Sequence, residues 1–375
     1  MNENPLKVLE TFGQSIWVDF ISRGVLTSGQ LQRWIDEDGV SGVTSNPSIF
    51  ENAITGTHDY DAAIRDLARQ GKTAEEIYDA LTISDIQQAA DLFLPVYERT
   101  LGADGFVSIE VSPYLADDTE GSIREARRLW QQVNRPNIMI KIPGTKKGLP
   151  AIQQMISEGV NINITLLFGI PRYLEVVDAY MRGLEERAAR GLPLHRVSSV
   201  ASFFLSRIDV LVDPLLANLS SHHNHETVEL ARSLQGETAI ASARVAYQEF
   251  QKSLQSQRWS ALAENGARQQ RVLWASTSTK NPVYSDVKYV EPLIGRDTIN
   301  TVPIQTLDAY RDHGKPELRI SEDLDHAHRV LQDLAELKLN LDAVTQELED
   351  EGVEKFTFAY QQLLARLGEK INVKV

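Results

Sequence analysis

The stretch "NIMIKIPGTKKG", residues 137–148, decides the fold. Ile138, Ile140 and Ile142 recur at every second position, the period of a strand with two different faces. Lys141 stands among them. A lysine in such a run is costly unless it finds water or a partner, or gives up its proton.

Seven further apolar segments share this character. They are "SIWVDF" (15–20), "GVTSN" (42–46), "GFVSIEVS" (105–112), "NINITLLF" (161–168), "VSSVASFF" (197–204), "RVLWAST" (271–277) and "DTINTVP" (297–303). Helical patterns such as "IPRYLEVVDAYMRGLEERAA" separate them, so the chain reads as repeated parallel β/α units. Eight units predict an α/β fold, a (β/α)8 TIM barrel, with residues 1–375 as one domain. The spacing predicts extra helices within 47–104, a helical insertion around 205–270 and C-terminal helices around 321–372. These last are expected outside the barrel or capping one end.

Composition narrows the function classes. The chain has 375 residues, 42% hydrophobic and 24% charged, enough apolar surface for a sizeable core. The net charge is −14 with no basic block, which argues against nucleic acid as a partner. No run approaches the ~18 consecutive apolar residues of a membrane span. The start, "MNENPLKVLETFG", lacks the basic-then-apolar order of a secretory signal, and a cytoplasmic enzyme is expected. With no cysteine, disulfides, thiolate catalysis and cysteine metal ligands are excluded. Homo-oligomerisation stays open.

Strand parity sorts the polar residues. With Ile138, Ile140 and Ile142 toward the helices, Lys141 points inward. By the same rule Val107, Ile109 and Val111 leave Glu110, Ser108 and Ser112 inside. Ile162, Ile164 and Leu166 leave Asn161, Asn163 and Thr165 inside, and Ile16, Val18 and Phe20 leave Asp19 inside. A single inward polar residue is no more than a satisfied core group. Several of them near the C-terminal strand ends, where barrel enzymes hold their sites, predict a polar pocket.

An inward lysine has three uses: an ion pair with Glu110, a fixed cation for phosphate, or a Schiff-base nucleophile. The last requires an amine that spends time unprotonated, which burial favours. On a sugar substrate it also requires a proton shuttle, for which Glu110 is placed, and a base for a neighbouring hydroxyl, for which Asp19 is available. Asn46, Asn163, Thr165 and Ser202 can hold the sugar. Arg207 and Lys280, after the sixth and seventh strands, can meet a phosphate.

At these residues the sequence resembles the transaldolase family in "GVTSNPSIF", "VSIEVSPYLADDT", "IMIKIPGTKKGL", "GVNINITLLF" and "VASFFLSRID", across about residues 15–313. The resemblance implies a Schiff base on Lys141, with Glu110 as acid/base through a water that Thr165 helps to hold. It implies Asp19 as the base for the donor's C4 hydroxyl, and Asn46 and Asn163 on the intermediate's hydroxyls. Ser202 and Arg207 would bind phosphate, and Phe204 would shape the pocket. Where many members carry an Arg in "ASxRN", this chain reads "ASTSTKNP", which leaves Lys280 as a point charge without a bidentate fork. The implied reaction moves a dihydroxyacetone unit between small sugar phosphates without metal or organic cofactor. A fructose 6-phosphate aldolase is the nearest rival, and Glu110 stands where that group typically has a tyrosine. A catalytically silent sugar-phosphate-binding barrel is the rival from another class.

Other motifs imply less. "SHHNHE" (221–226) reads as a solvated stretch rather than a metal site. "IPGTKKG" lacks the spacing of a P-loop. Trp17, Trp130 and Trp274 read as core or helix–sheet contacts.

Overall fold

The computed structural model describes residues 4–222 and 225–372. Its centre is a closed barrel of eight parallel strands: β1 (Gln14–Val18), β2 (Val40–Val43), β3 (Phe106–Glu110), β4 (Ile138–Pro143), β5 (Ile162–Leu167), β6 (Ser199–Phe204), β7 (Arg271–Ala275) and β8 (Thr298–Val302). Neighbours in sequence are neighbours in the barrel, and β8 pairs back onto β1. Each segment read from the sequence overlaps one strand. The second is displaced: β2 ends at Val43, so Thr44, Ser45 and Asn46 lie beyond the strand, at its C-terminal mouth.

Parity holds where it matters. Ile138, Ile140, Ile142, Ile162 and Ile164 are buried against the surrounding helices, while inward side chains from different strands touch one another. Asn163 donates to Ser108 Oγ at 3.0 Å and accepts from Ser202 Oγ at 2.7 Å. Asn161 precedes β5 and ties strand starts together, bonding the Ile138 carbonyl and the Ser198 amide. Alternation breaks at Leu166, expected with Ile162 and Ile164 on the helix side. Its φ is 61°, and the β5–β6 register shifts between Ile164 and Leu167. A leucine in the left-handed region costs roughly 1–2 kcal/mol, so packing holds this bulge in place.

The long gaps carry helices as expected. Pro47–Gly56, Asp61–Arg69 and Ala74–Arg99 fill the first; Ser206–His222, His225–Ser233, Thr238–Leu254 and Gln257–Glu264 fill the second. The histidine-rich stretch 221–226 falls partly outside the described residues. Of the two C-terminal helices, Leu324–Glu336 packs outside against Thr238–Leu254. The other, Leu341–Asn372, passes over the C-terminal end of the barrel. Near its start Glu349 pairs with buried Arg172 at 3.0 Å; near its end Arg366 meets Glu51 at 3.3 Å and Lys370 meets Asp61 at 2.8 Å. At 1.5 Å per residue it is about 48 Å long, enough to cross the mouth. Among the described residues no helix is long and apolar enough to cross a membrane.

The opposite end of the barrel is floored by Trp17, which is fully buried and donates from Nε1 to Asp104 Oδ1 at 2.7 Å. Gly42 lets that ring lie flat against β2, since a Cβ there would meet Trp17 Cδ2 at 2.5 Å. Gly42→Ala is therefore expected to destabilise the fold by about 1–3 kcal/mol through overpacking. Urea unfolding of the variant measures this, and an unchanged midpoint would mean that the ring has room to move.

Candidate active site

Strand register builds the centre of the mouth. Glu110 pairs with Lys141, and Lys141 with Asn163, so the three side chains stand in one row across β3, β4 and β5. Lys141 Nζ donates to the Ser45 carbonyl at 2.9 Å and lies 3.2 Å from Glu110 Oε2. That second contact is one of charge without hydrogen-bond alignment, so both Glu110 oxygens are buried with no hydrogen-bond partner. Thr165 Oγ1 is likewise buried and unpartnered. It lies one residue before the strained Leu166, so the bulge in β5 helps fix where this hydroxyl points.

Asp19 follows β1 directly. Thr44 donates to Asp19 Oδ1 at 2.7 Å, and because its one proton is spent there, it accepts from Thr301 Oγ1, also at 2.7 Å. Burial pushes the Asp19 carboxyl above its ordinary range, opposed by the positive charges of Lys141, Arg207 and Lys280. Burial raises Glu110 in the same way, again against the pull of Lys141. The two carboxyls thus hold protons more readily than exposed ones.

Asp19, Thr44, Asn46, Lys141, Ser202, Phe204, Arg207 and Lys280 line one cavity of about 310 Å³, within the range of small-ligand pockets. Seven of the ten residues singled out in the sequence line it. The remaining three, Glu110, Asn163 and Thr165, stand immediately beside it on β3 and β5. Asn46 has a second duty, its side-chain oxygen capping the helix Pro47–Gly56 by accepting from the Ile49 amide at 3.0 Å. Its amide nitrogen remains to face the cavity.

The cations differ. Arg207 lies at the first turn of the helix Ser206–His222, with its guanidinium 5.5 Å from the Phe204 ring and 5.9 Å from that of Phe356. Burial lowers its pKa, and its Nη1 is buried without a hydrogen-bond partner. A helix N-terminus beside an unpaired guanidinium suits an anion. Lys280 is exposed and donates to Ser278 Oγ at 2.6 Å.

Sequence reasoning missed Thr44, Thr301 and Phe356. Thr44 was legible in principle, two residues before Asn46 in "GVTSN". Phe356 was not, because "KFTFAY" reads only as helix and its place depends on the path of the whole C-terminal segment. Among the described residues no group of three His, Asp or Glu is arranged to hold a metal ion.

A closed parallel barrel with a lysine, two carboxyls and a partly buried arginine at its C-terminal mouth has the arrangement of a barrel enzyme. Residues 16–367 match the Transaldolase/Fructose-6-phosphate aldolase family, and the chain belongs to that family. It is 47% identical to a transaldolase of Trichodesmium erythraeum over 99% of both chains. It is 48% identical to a transaldolase of Thiobacillus denitrificans, over 97% of this chain and all of that one. To the protein named transaldolase 2 of Nostoc punctiforme the identity is 46%, over all of this chain and 99% of the other.

The burial of Asp19 and Glu110 has a direct readout. Infrared difference titration, with Asp19→Asn and Glu110→Gln for assignment, is expected to give midpoints above the ordinary 3.8 and 4.5. In Lys141→Met both are expected to rise further, since the main opposing charge is gone. Midpoints at or below the ordinary values would mean that water, not burial, governs these groups.

Proposed function

We propose that this chain is a transaldolase, moving a dihydroxyacetone unit between sugar phosphates through a Schiff base on Lys141. The donor is sedoheptulose 7-phosphate or fructose 6-phosphate, and the acceptor is glyceraldehyde 3-phosphate or erythrose 4-phosphate. The observation that carries this reading is Lys141: a buried primary amine 3.2 Å from a buried carboxyl group that has no other polar partner.

The Lys141 amine adds to the donor ketone, and loss of water from the carbinolamine gives the iminium. Glu110 moves the protons of these steps through a water held with Thr165, the side-chain oxygens of both being buried with no hydrogen-bond partner. Asp19 then takes the proton of the C4 hydroxyl. The C3–C4 electron pair passes into the iminium, the aldehyde product leaves and an enamine stays on Lys141. The acceptor aldehyde adds at the enamine carbon, and reversal of the first steps frees the new ketose.

Asn46, Asn163 and Ser202 hold hydroxyls, and Arg207 at its helix N-terminus takes the phosphate with Lys280 as a second charge. Phe204 shapes the pocket wall. The iminium is itself the electron sink, so the reaction needs neither metal nor organic cofactor. The whole chain serves as one barrel domain in the cytoplasm. Against the aldolase reading stand the relatives named transaldolase, matched over their full length. Against a silent barrel stands the complete set of lysine, acid and base.

Incubation with fructose 6-phosphate and borohydride is expected to give one adduct, mapped to Lys141; an unmodified Lys141 would overturn the nucleophile assignment. Asp19→Ala is expected to form the adduct still, with bond cleavage slowed by about 10²–10⁴. Single-turnover release of the aldehyde measures this, and cleavage at the wild-type rate would remove Asp19 as the base.

A further inference from the structure

Phe356 lies beside the reactive amine and takes no part in the proposed reaction. It belongs to the helix Leu341–Asn372, is 4% exposed and lines the mouth cavity. Its ring centroid lies 5.8 Å from Lys141 Nζ and 5.9 Å from the Arg207 guanidinium carbon. A carbon skeleton joined to Nζ would begin one bond from that nitrogen, in the cavity that this ring also lines.

The helix is built to bring the ring there. Gly352, one turn earlier, lets the backbone settle onto the barrel: a Cβ there would lie 2.9 Å from Leu166 Cδ2 and 3.6 Å from Arg207 Nη1. One turn later Tyr360 is wedged between Tyr78 and Tyr114, with ring centroids 5.3 and 5.4 Å away. Ion pairs at Glu349, Arg366 and Lys370 hold both ends of the helix.

The enamine left on Lys141 has two fates. It can attack the acceptor aldehyde, or its carbon can take a proton from water. In the second case the resulting iminium adds water, the C–N bond breaks, and free dihydroxyacetone leaves as the lysine amine returns; one water is consumed. Which fate prevails depends on how well water is kept from the enamine carbon.

We propose that Phe356 is a specificity-determining residue of this site, a hydrophobic roof that keeps water from the Lys141 enamine and so favours transfer over release. The inference rests on the Schiff-base reading above. The ring supplies no proton and accepts none; it acts by occupying the space from which water would reach the carbon.

The test compares wild type with Phe356→Leu, Phe356→Ala and the outward-facing control Phe358→Ala, whose parent residue is 62% exposed. Each is supplied with fructose 6-phosphate and erythrose 4-phosphate. Free dihydroxyacetone is measured against sedoheptulose 7-phosphate formed, and each is trapped separately with borohydride. Phe356→Ala is expected to raise the release-to-transfer ratio at least tenfold. Phe356→Leu should give a smaller rise, and Phe358→Ala none. Adducts are expected at Lys141 throughout. A ratio unchanged in Phe356→Ala, with the adduct formed, overturns the roof while leaving the Schiff base intact. No adduct in wild type overturns the underlying reading instead. Should Phe356→Ala not fold, Phe356→Leu decides alone, since it keeps an apolar side chain of similar bulk.

Discussion

The contact between Lys141 and Glu110, 3.2 Å apart with both groups almost fully out of solvent, is what the rest of the mouth is arranged around. Burying two ionisable groups is expensive unless their charges meet or one proton is shared. Strand register supplies the proximity, since β3 and β4 pair these two residues side by side. The Ser45 carbonyl holds the amine from the third direction. Apart from Lys141, neither Glu110 oxygen has a polar partner among the described residues.

Asp19 and Arg207 extend the same logic. Asp19 is held by Thr44, itself held by Thr301, so side chains at the ends of β1, β2 and β8 position one oxygen. Arg207 is flanked by Phe204 and Phe356, which remove water around a cation that forms no salt bridge among the described residues. An anion entering here meets a charge already stripped of much of its hydration. Lys280 contributes differently, from an exposed position bonded to Ser278, where its charge is screened and its stem is free to move.

Much of this was legible because barrel strands impose period two. Isoleucines at 138, 140, 142, 162 and 164 mark one face, and whatever polar residue falls between them must point at the axis. The inward row of Glu110, Lys141 and Asn163 and the inward position of Asp19 follow from that rule, whereas Asn46 was picked out only as an amide able to hold a hydroxyl. The rule failed at Leu166, where a bulge held by tertiary packing overrides alternation. It was silent on Phe356, because helix periodicity tells which face is buried but not what the helix is buried against. The exit of β2 at Val43 was misjudged because the polar run Thr44, Ser45 and Asn46 was read as part of the strand, although it lies past the last paired residue.

The chain path has a temporal consequence. Every strand of the barrel, and with it Lys141, is synthesised before the helix Leu341–Asn372 leaves the ribosome. A nascent barrel therefore presents an uncovered amine to any carbonyl compound in the cell until the last segment docks. The salt links at Glu349, Arg366 and Lys370 fasten that segment at both ends once it has docked, and so bear on how seldom the interval recurs.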